Sequence, residues 1–407
     1  MNVAIMGFGV VGSGVAEVIS KNAPVIKENS NVSLSLSHIL DIRDFENNEF
    51  SKYMTKNFDD ILNDDDTQIV VETMGGVEPA FTFVSKCLEK GKHVVTSNKE
   101  LVAKKGFELL SLAKKNNVNF LFEASVGGGI PIIRPISRCL AGNRINQIMG
   151  ILNGTTNFIL TKMIMDNMDF ADALKLAQDN GYAEKDPTAD VEGIDACRKI
   201  CILSSLVFGS HVYPDGIYTE GITKVSLRDV ECAGKAGYVI KLIAQAKKLD
   251  NGKANIIVSP ALVRKDSMLA GVSDVFNACL VRGDATGDVL MYGKGAGKLA
   301  TASAVVGDVI DCASNFDNRK FFGWGEAKEN FVEDHLKVSA SLFVRAETSD
   351  KENDINKVKL ALEDCRIVET SDSELAFITA EEPEGDLRAK LSSLGLDIKS
   401  TIRIADC

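Results

Sequence analysis

The sequence lacks the residue patterns that build a zinc site. Its nine Cys include no pair spaced Cys-x-x-Cys, and its four His are scattered at positions 38, 93, 211 and 335. Structural zinc needs Cys and His at close, regular spacing, so we expect none here.

The odd Cys count and the missing basic, signal-like segment at the N-terminus argue against secretion. We therefore expect reduced thiols in a cytoplasmic protein.

Positive charge and long apolar runs are also scarce. The 46 Lys and Arg against 57 Asp and Glu give a formal net charge of −11, which argues against nucleic acid or an anionic membrane as a partner. The longest uncharged run, INQIMGILNGTTNFILT, is interrupted by Asn, Gly and Thr, so it does not predict a membrane span. A chain of 407 residues, 45% of them hydrophobic, is typical of a globular protein with two or three domains.

The N-terminal part alternates strand-like and helix-like patterns. Apolar residues 3–6 predict a strand, the following glycines a tight turn, and the next apolar residues, at helical spacing, a helix. Further strands are predicted within 32–40, 67–76, 93–99 and 118–125, and further helices within 79–91 and 101–117. This alternation predicts a Rossmann-type doubly wound parallel sheet of the α/β class.

The first turn carries the spacing G-x-G-x-x-G, which predicts dinucleotide binding. Gly7 permits the turn, Gly9 lets the backbone approach a pyrophosphate, and Gly12 lets the helix pack closely on the strand. The choice of dinucleotide stays open. Asp41, after the second strand, suits the ribose hydroxyl of NAD, whereas Arg43 suits the 2′-phosphate of NADP.

Six further segments occur in an order that resembles homoserine dehydrogenase. They are VVETMGG (70–76), VVTSNKELVA (94–103), FEASVGGGIPII (122–133), GILNGTTNFIL (150–160), GYAEKDPTADVEGIDACRKICIL (181–203) and YGKGAGKLATASAVVGDV (292–309). The resemblance covers roughly residues 1–325. It implies a nucleotide-binding domain followed by an α+β domain whose mixed sheet forms the substrate site and the dimer interface. The implied reaction is the reversible NAD(P)-dependent oxidation of L-homoserine to L-aspartate 4-semialdehyde, in the biosynthesis of threonine, methionine and isoleucine.

The resemblance also implies roles for individual residues. Lys199 resembles the proton donor and acceptor, Lys99 lies at the nicotinamide end of the cofactor site, and Glu184 and Asp195 resemble the residues that hold homoserine. The segment EASVGGGI resembles a monovalent-cation site for Na⁺ or K⁺. Its predicted ligands are Glu123 and the backbone carbonyls of Val126, Gly128 and Ile130. The predicted cofactor-binding residues are Gly7, Gly9, Val10, Val11, Gly12, Arg43, Thr73, Lys99, Gly181 and Gly297.

The chemistry of the reaction is consistent with lysine as the proton carrier. Oxidation of an alcohol requires its hydroxyl proton to leave, and an amine accepts such a proton when burial or a nearby cation lowers its pKa. Asp195 and Lys199 are spaced i,i+4, so they share one face of a predicted helix. A surface ion pair is the alternative, but the apolar run that follows, ICILSSLVFG, indicates that the helix enters a core.

The acidic stretch before that helix admits several interpretations. Glu184 and Asp195 provide carboxylates for the ammonium group of homoserine, and NGTTN offers backbone and hydroxyl donors for its carboxylate. At least one of Glu184, Asp186 and Asp190 is expected to be part of a solvated loop. A Ca²⁺ site formed with Glu192 is rejected because the spacing lacks the central Gly and closing Glu of an EF-hand loop. The individual roles of Asp186, Asp190 and Glu192 stay open.

Three domains are predicted. The dinucleotide-binding domain covers 1–125 and is completed by about 293–325, where the GKGAG segment either passes close to the cofactor or only starts a helix. The substrate-binding and dimerisation domain covers 126–292.

The third domain is predicted over 331–407. These residues predict the order βαββαβ of a ferredoxin-like fold, which resembles the ACT regulatory domain. Its first turn, AETSDKEND, lacks the Gly that normally approaches the ligand, so we expect a domain that folds and dimerises but responds weakly to threonine.

Two alternatives to a homodimeric or homotetrameric homoserine dehydrogenase stay open. One is another amino-acid dehydrogenase of the same architecture, for instance one that acts on aspartate, which would not need the segment GYAEKDP to DACRK in this form. The other is a non-catalytic dinucleotide or amino-acid sensor, in which Lys99 and Lys199 would be replaceable without loss of function.

Overall fold

The computed structural model describes residues 1–45, 47–371 and 373–407, which form two compact units. The first unit consists of Met1–Arg144, Cys201–Pro214 and Met291–Lys328. The second consists of Ile145–Ile200, Asp215–Leu290 and Glu329–Cys407. The functional domains assigned from the sequence, with their boundaries, stay predictions.

Helices and strands occur along the whole chain. Up to residue 144 they are β1 (Asn2–Met6), α1 (Val10–Lys21), α2 (Ala23–Ser30), β2 (Ser35–Leu40), β3 (Met54–Thr55), α3 (Asp59–Leu62), β4 (Thr67–Glu72), α4 (Ala80–Glu89), β5 (His93–Thr96), α5 (Lys99–Lys115) and β6 (Phe120–Leu121). From 145 to 328 they are β7 (Ile145–Ile151), α6 (Gly154–Met165), α7 (Phe170–Asp179), α8 (Thr188–Val191), α9 (Ile194–Phe208), β8 (Tyr218–Thr219), α10 (Leu227–Lys235), β9 (Tyr238–Lys248), β10 (Ala254–Arg264), β11 (Phe276–Gly283), β12 (Gly287–Lys294) and α11 (Lys298–Ser314). The remainder are β13 (Ser339–Ala340), β14 (Leu342–Glu347), α12 (Lys351–Ala361), β15 (Arg366–Thr370), β16 (Glu374–Ile378), β17 (Glu382–Pro383), α13 (Glu384–Ser393) and β18 (Asp397–Ile404).

The first unit contains a parallel sheet of order β3-β2-β1-β4-β5-β6. The central strands are apolar and buried along their length, as in Ile69 to Val71 of β4, because helices cover both faces of such sheets. The order reverses between β1 and β4, which gives the Rossmann switch point. The predicted parallel sheet is therefore confirmed.

The second unit is built on a mixed sheet of order β12-β11-β7-β9-β10-β18-β14-β16-β15, with β8 also paired to β10. The long hairpin of β9 and β10 is antiparallel from Tyr238 opposite Arg264 to Lys248 opposite Ala254. Both β8 and β18 run parallel to β10. The mixed sheet predicted for the second domain is confirmed.

The C-terminal segment has the predicted order of strands and helices. Strands β14, β15, β16 and β18 alternate with α12 and α13 as βαββαβ, and the antiparallel order β18-β14-β16-β15 is that of a ferredoxin-like sheet. The strand predicted over 366–372 ends at Thr370, and Asp372 lies outside the described residues. The identification as an ACT-like regulatory domain stays a prediction.

Candidate functional site

The glycine turn after β1 forms a tight cradle at the switch point of the parallel sheet. Gly7 has φ +95, and a Cβ at Gly12 would lie only 1.9 Å from the Gly7 carbonyl oxygen. Thr73, at the end of β4, donates its hydroxyl to that same carbonyl at 2.8 Å. A Cβ at Gly9, in contrast, would meet no atom within 4 Å. The cradle is therefore closed where the chain packs on itself and open at Gly9, as a pyrophosphate requires.

The other predicted cofactor residues occupy both units. Val10 and Val11 are the first residues of α1, and Gly297, with φ +123, directly precedes α11 in the same unit. Gly181 lies in the second unit, where its φ of +73 follows the end of α7 and is explained by the helix C-terminus. The cofactor role of each stays a prediction.

Asp41 and Arg43 form one hydrogen-bonded group at the carboxyl end of β2. The Arg43 side chain donates from Nε and from a terminal nitrogen to the Asp41 carboxylate at 3.0 and 2.9 Å, and the Phe8 backbone N–H donates to it at 2.7 Å. The hydrogen bond from Arg43 is the main cause that lowers the pKa of Asp41 to about 2. Asp41 is buried, whereas the Arg43 side chain is 58% exposed beside a cavity of about 260 Å³.

Lys99 is the first residue of α5, and a buried polar network fixes the start of this helix. The Asn98 side chain accepts the Leu101 backbone N–H at 3.0 Å and donates to the Gly76 carbonyl at 2.6 Å. Glu72, fully buried, accepts the Thr96 hydroxyl at 2.6 Å, and burial raises the pKa of its carboxyl. The sequence patterns did not single out Glu72 or Asn98, although an Asn before an apolar helix is a typical N-cap.

The Glu123 side chain binds backbone rather than facing an open site. Its carboxylate accepts the N–H groups of Ile132, Ile133 and Arg134 at 2.6, 2.8 and 2.7 Å. Buried Asp308 accepts the Glu123 backbone N–H at 2.8 Å and the Arg134 guanidinium at 2.7 Å. Burial, with the nearby charge of Glu123, raises the pKa of Asp308 to about 7. The Glu123 carboxylate therefore anchors the segment 123–134.

The glycines of this segment have backbone conformations that other residues rarely adopt. Gly127 and Gly128 have φ of +73 and +54, and a Cβ at Gly128 would lie 2.4 Å from the Gly295 carbonyl oxygen. Val126 and Ile130 on either side are buried. The segment thus packs tightly against the second glycine cluster, and only small residues fit at this contact.

Lys199 and Asp195 lie together on α9 and are buried. The Lys199 ammonium donates to the Asp195 carboxylate at 2.7 Å and to the Leu152 carbonyl at 2.7 Å. Only 8% of Lys199 and 3% of Asp195 is exposed, so a surface ion pair does not describe them. The Leu152 carbonyl, a third member of this group, was not expected from the sequence.

Asn153 joins this pair to the preceding acidic loop. Its side-chain amide donates to Asp195 at 2.9 Å and to Asp190 at 2.7 Å, and its oxygen accepts the Thr156 backbone N–H at 2.9 Å. Asn153 therefore begins α6 and contacts two carboxylates of the stretch singled out in the sequence. It was not among the predicted site residues, although it is the first residue of NGTTN, which the sequence analysis had assigned to the substrate site.

The remaining acidic residues of the stretch are exposed. Glu184 is on the surface, and its backbone carbonyl accepts the Gln178 amide at 3.1 Å. Asp186 accepts the backbone N–H and the hydroxyl of Thr188, which lowers its pKa, and Glu192 accepts a hydroxyl from Thr223. Asp186 and Glu192 are therefore part of a solvated loop, which is one of the interpretations that the sequence allowed.

The hydroxyl groups of NGTTN are used within the protein. Thr155 donates to the Tyr182 carbonyl at 2.7 Å, and Thr156 lies within 3.0 Å of the Asn153 side-chain oxygen. These contacts hold the loop near residue 182 and the start of α6. They offer no support for the expected role of these hydroxyls as donors to a substrate carboxylate.

The described ranges show neither a metal cluster nor a membrane-spanning helix. Within 1–45, 47–371 and 373–407, His, Cys, Asp and Glu side chains form no group of three or more that could hold a metal ion. In those same ranges, no helix is long and apolar enough to cross a membrane. None of the nine Cys, all of which lie in the described ranges, forms a disulfide.

Protein-family models match most of the chain. Residues 7–123 match the model described as homoserine dehydrogenase, NAD binding domain. Residues 131–310 match the model described as homoserine dehydrogenase. The two matched ranges contain the glycine cradle, the segment 123–134 from Pro131 onward and the Lys199 group.

Curated relatives and solved structures agree with these matches. A homoserine dehydrogenase of Synechocystis is 43% identical over 317 residues, which are 76% of this chain and 73% of the relative. The crystal structure of a homoserine dehydrogenase from Thiobacillus denitrificans superposes with a TM-score of 0.91 at 33% identity, over 100% of this chain and 98% of that one. A hyperthermophilic archaeal homoserine dehydrogenase in complex with NADPH superposes with a TM-score of 0.64 at 31% identity, over 77% of this chain and 97% of that one.

Proposed function

The chain belongs to the homoserine dehydrogenase family, and on this basis we propose that Lys199 carries the proton in the reaction and that Asp195 and Glu184 bind the substrate. The chain is an oxidoreductase that oxidises L-homoserine reversibly to L-aspartate 4-semialdehyde with NAD(P). Neither alternative, an aspartate-type dehydrogenase or a non-catalytic sensor, is favoured.

The observation that carries the proposal is the buried position of the Lys199 ammonium. Its contacts with Asp195 and the Leu152 carbonyl fix Nζ in one place, which proton transfer requires. In oxidation the neutral amine form of Lys199 accepts the proton of the substrate hydroxyl and becomes the ammonium, and in reduction that ammonium gives its proton to the aldehyde oxygen. Lys99, at the start of α5, assists on the cofactor side.

The cofactor fits the glycine cradle of the first unit. The open backbone at Gly9, the tight packing at Gly12 and the N-terminus of α1 suit the pyrophosphate. When bound, the nicotinamide supplies the hydride acceptor for oxidation and the hydride donor for reduction. Arg43 and Thr73 complete the proposed set of cofactor-binding residues. We propose that Arg43 allows NADP to bind as well as NAD.

The substrate ammonium is assigned to carboxylates of the second unit. Asp195 is held in the Lys199 group, whereas Glu184 is exposed on the loop before α8 and reaches substrate from the solvent side. Carboxylates are the natural partners of an ammonium group, because a charge-assisted hydrogen bond is about twice as strong as a neutral one. This assignment gives the acidic stretch a task that Asp186 and Glu192 do not share.

We also propose a monovalent-cation site in the segment 123–130, formed by backbone carbonyls of Glu123, Val126, Gly128 and Ile130. The positive φ of Gly127 and Gly128 supports it, because that conformation turns successive carbonyls in directions that a regular strand does not allow. The carboxylate of Glu123 is not a ligand in this proposal, since three backbone N–H groups donate to it. Activity in K⁺ or Na⁺ above that in tetramethylammonium, at equal ionic strength, would support the site.

The Lys199→Ala variant tests the proposed function. Wild-type protein should form NADH or NADPH from L-homoserine, and the variant should lose roughly 100- to 10,000-fold in kcat, the usual contribution of a proton-transferring group. Lys185→Ala is the matched control, because Lys185 is an exposed lysine of the same stretch. Turnover by Lys199→Ala at the rate of Lys185→Ala would contradict the assignment.

We further propose a homodimer or homotetramer, a cytoplasmic location and a weak response to threonine. The assembly follows from the family resemblance, the location from the odd number of Cys, and the weak response from the missing Gly in AETSDKEND. Light scattering of the full chain tests the assembly, and a threonine titration of its activity tests the regulation.

A further inference from the structure

We propose that Asn153 is a positioning residue of the active site, one that links Asp190 to Asp195 and so fixes the Asp195 carboxylate beside Lys199. The inference rests on the proposed role of the Lys199 group. The group of Lys199 and Asp195 thereby gains the Asn153 side chain, which carries no charge and transfers no proton.

The Asn153 amide makes every hydrogen bond available to it. Its nitrogen has two N–H donors, and these meet Asp190 at 2.7 Å and Asp195 at 2.9 Å. Its oxygen accepts the Thr156 backbone N–H at 2.9 Å and lies 3.0 Å from the Thr156 hydroxyl. This pattern fixes the orientation of the amide, because the reverse would place an oxygen against two carboxylates.

The two carboxylates belong to different elements. Asp190 is in the short helix α8, which follows the exposed loop, and Asp195 is in the first turn of α9. Asn153 is 5% exposed and sits at the start of α6. One buried amide therefore sets the position of three helix termini relative to one another.

The arrangement bears on the proton carrier. Asn153 and Lys199 donate to the same carboxylate oxygen of Asp195, at 2.9 and 2.7 Å. A change in the orientation of that carboxylate would therefore move the Lys199 ammonium. Asn153 thus acts on the reaction through Asp195 and not by contact with the substrate.

A simple helix cap would not need this residue. Asp and Ser cap helix N-termini as well as Asn does, and an acidic cap gains from the helix dipole. A residue that only caps α6 could therefore be Asp without loss. Only the two donor contacts require an amide at this position.

Two substitutions separate the roles. Asn153→Ser keeps an oxygen that can cap α6 and removes both donors, whereas Asn153→Asp keeps the cap and places a third negative charge beside Asp190 and Asp195. A hydrogen bond to a charged group is worth a factor of roughly 10 to 100, and we expect its loss from the Asp195 carboxylate to appear in the reaction of homoserine. We expect kcat/KM for homoserine to fall by that factor in Asn153→Ser and further in Asn153→Asp, with KM for NADP within about twofold of wild type.

The control is Asp169→Ala, which removes the N-cap of α7, where the side chain accepts the Asp172 backbone N–H at 2.9 Å. It should lower the unfolding midpoint and leave KM for homoserine unchanged. Asn153→Asp with wild-type kinetics, or equal losses for homoserine and NADP, would overturn the inference. Failure of wild-type protein to oxidise homoserine would instead contradict the proposed function, so the two failures are distinguishable.

Discussion

At the scale of single residues, we expect the choice of cofactor to depend on Asp41 and Arg43. Asp41 already receives hydrogen bonds from Arg43 and from the Phe8 backbone, and the guanidinium balances its charge. A carboxylate in this state has little capacity left for a ribose hydroxyl. Because Arg43 is largely exposed, we expect it to turn one face to the 2′-phosphate and so to give NADP an interaction that NAD lacks.

Replacement of Arg43 by Ala should shift the preference toward NAD. The variant loses the partner of the 2′-phosphate and frees Asp41 for the ribose, so KM for NADP should rise roughly 10- to 100-fold while KM for NAD changes by less than about threefold. Initial rates with both cofactors at saturating homoserine measure the ratio. Lys52→Ala, which removes an exposed positive charge from the same region, is the control. An unchanged ratio in Arg43→Ala would show that the phosphate binds elsewhere.

Asparagine at a helix start recurs beside both proposed lysines. Asn98 caps α5, whose first residue is Lys99, and Asn153 caps α6 while it contacts the Asp195 partner of Lys199. A sequence pattern predicts the cap, because the local chain alone determines it. The second contact depends on where a distant segment folds, so the pattern could not predict it.

At the scale of elements, a helix or strand could be predicted from the sequence when it is long enough to show a periodic pattern of apolar residues. The helix predicted within 101–117 is found as α5, and the glycine turn has the predicted conformation at Gly7. The two-residue strand β3 and the short helix α3 were not predicted, because they are too brief to show periodicity. Likewise, the sequence could not predict that β18 pairs with β10, since only Ala261 and Leu262 take part.

The C-terminal strands share buried charges with α10 as well as a sheet with β10. Arg345 of β14 donates to Asp229 at 2.8 Å, to Glu374 at 2.9 Å and to Ser226 at 3.2 Å. Asp229 is fully buried. Deletion of residues 331–407 would therefore disturb the fold itself, and point substitutions are the sharper test of how this segment is held.

Substitution of Arg345 by Met should destabilise the protein strongly. It leaves the Asp229 carboxylate buried without its charged partner, which is expected to lower the free energy of unfolding by about 3–5 kcal/mol. Urea denaturation followed by circular dichroism measures the change. Lys399→Met, which removes a surface ion pair on β18, should have little effect. Equal stability of the two variants would show that the buried network contributes nothing beyond a surface contact.

At the scale of the whole molecule, buried histidines link folding to pH. His211 is 3% exposed and accepts the Trp324 indole N–H at 3.0 Å, and burial lowers its pKa from 6.5 to about 4. His93, 1% exposed, has its pKa lowered to about 4 by the same cause. Between the lowered pKa of about 4 in the folded chain and the ordinary pKa of 6.5, these histidines bind more protons in the unfolded chain than in the folded chain. The contribution of these two histidines to stability is therefore complete above about pH 6.5 and is lost as the pH falls toward 4.

The His211→Gln variant should weaken this pH dependence. Each buried histidine accounts for about 2 kcal/mol of the unfolding free energy lost between about pH 7.5 and about pH 5, so the loss in the variant should be smaller by that amount. The side-chain oxygen of Gln can still accept the indole N–H, which limits other damage. Trp324→Phe is the matched control, because it removes that donor but leaves a buried histidine; it should be less stable at both pH values and keep the wild-type difference between them. If His211→Gln kept that difference too, proton uptake by His211 would not be what destabilises the protein in acid.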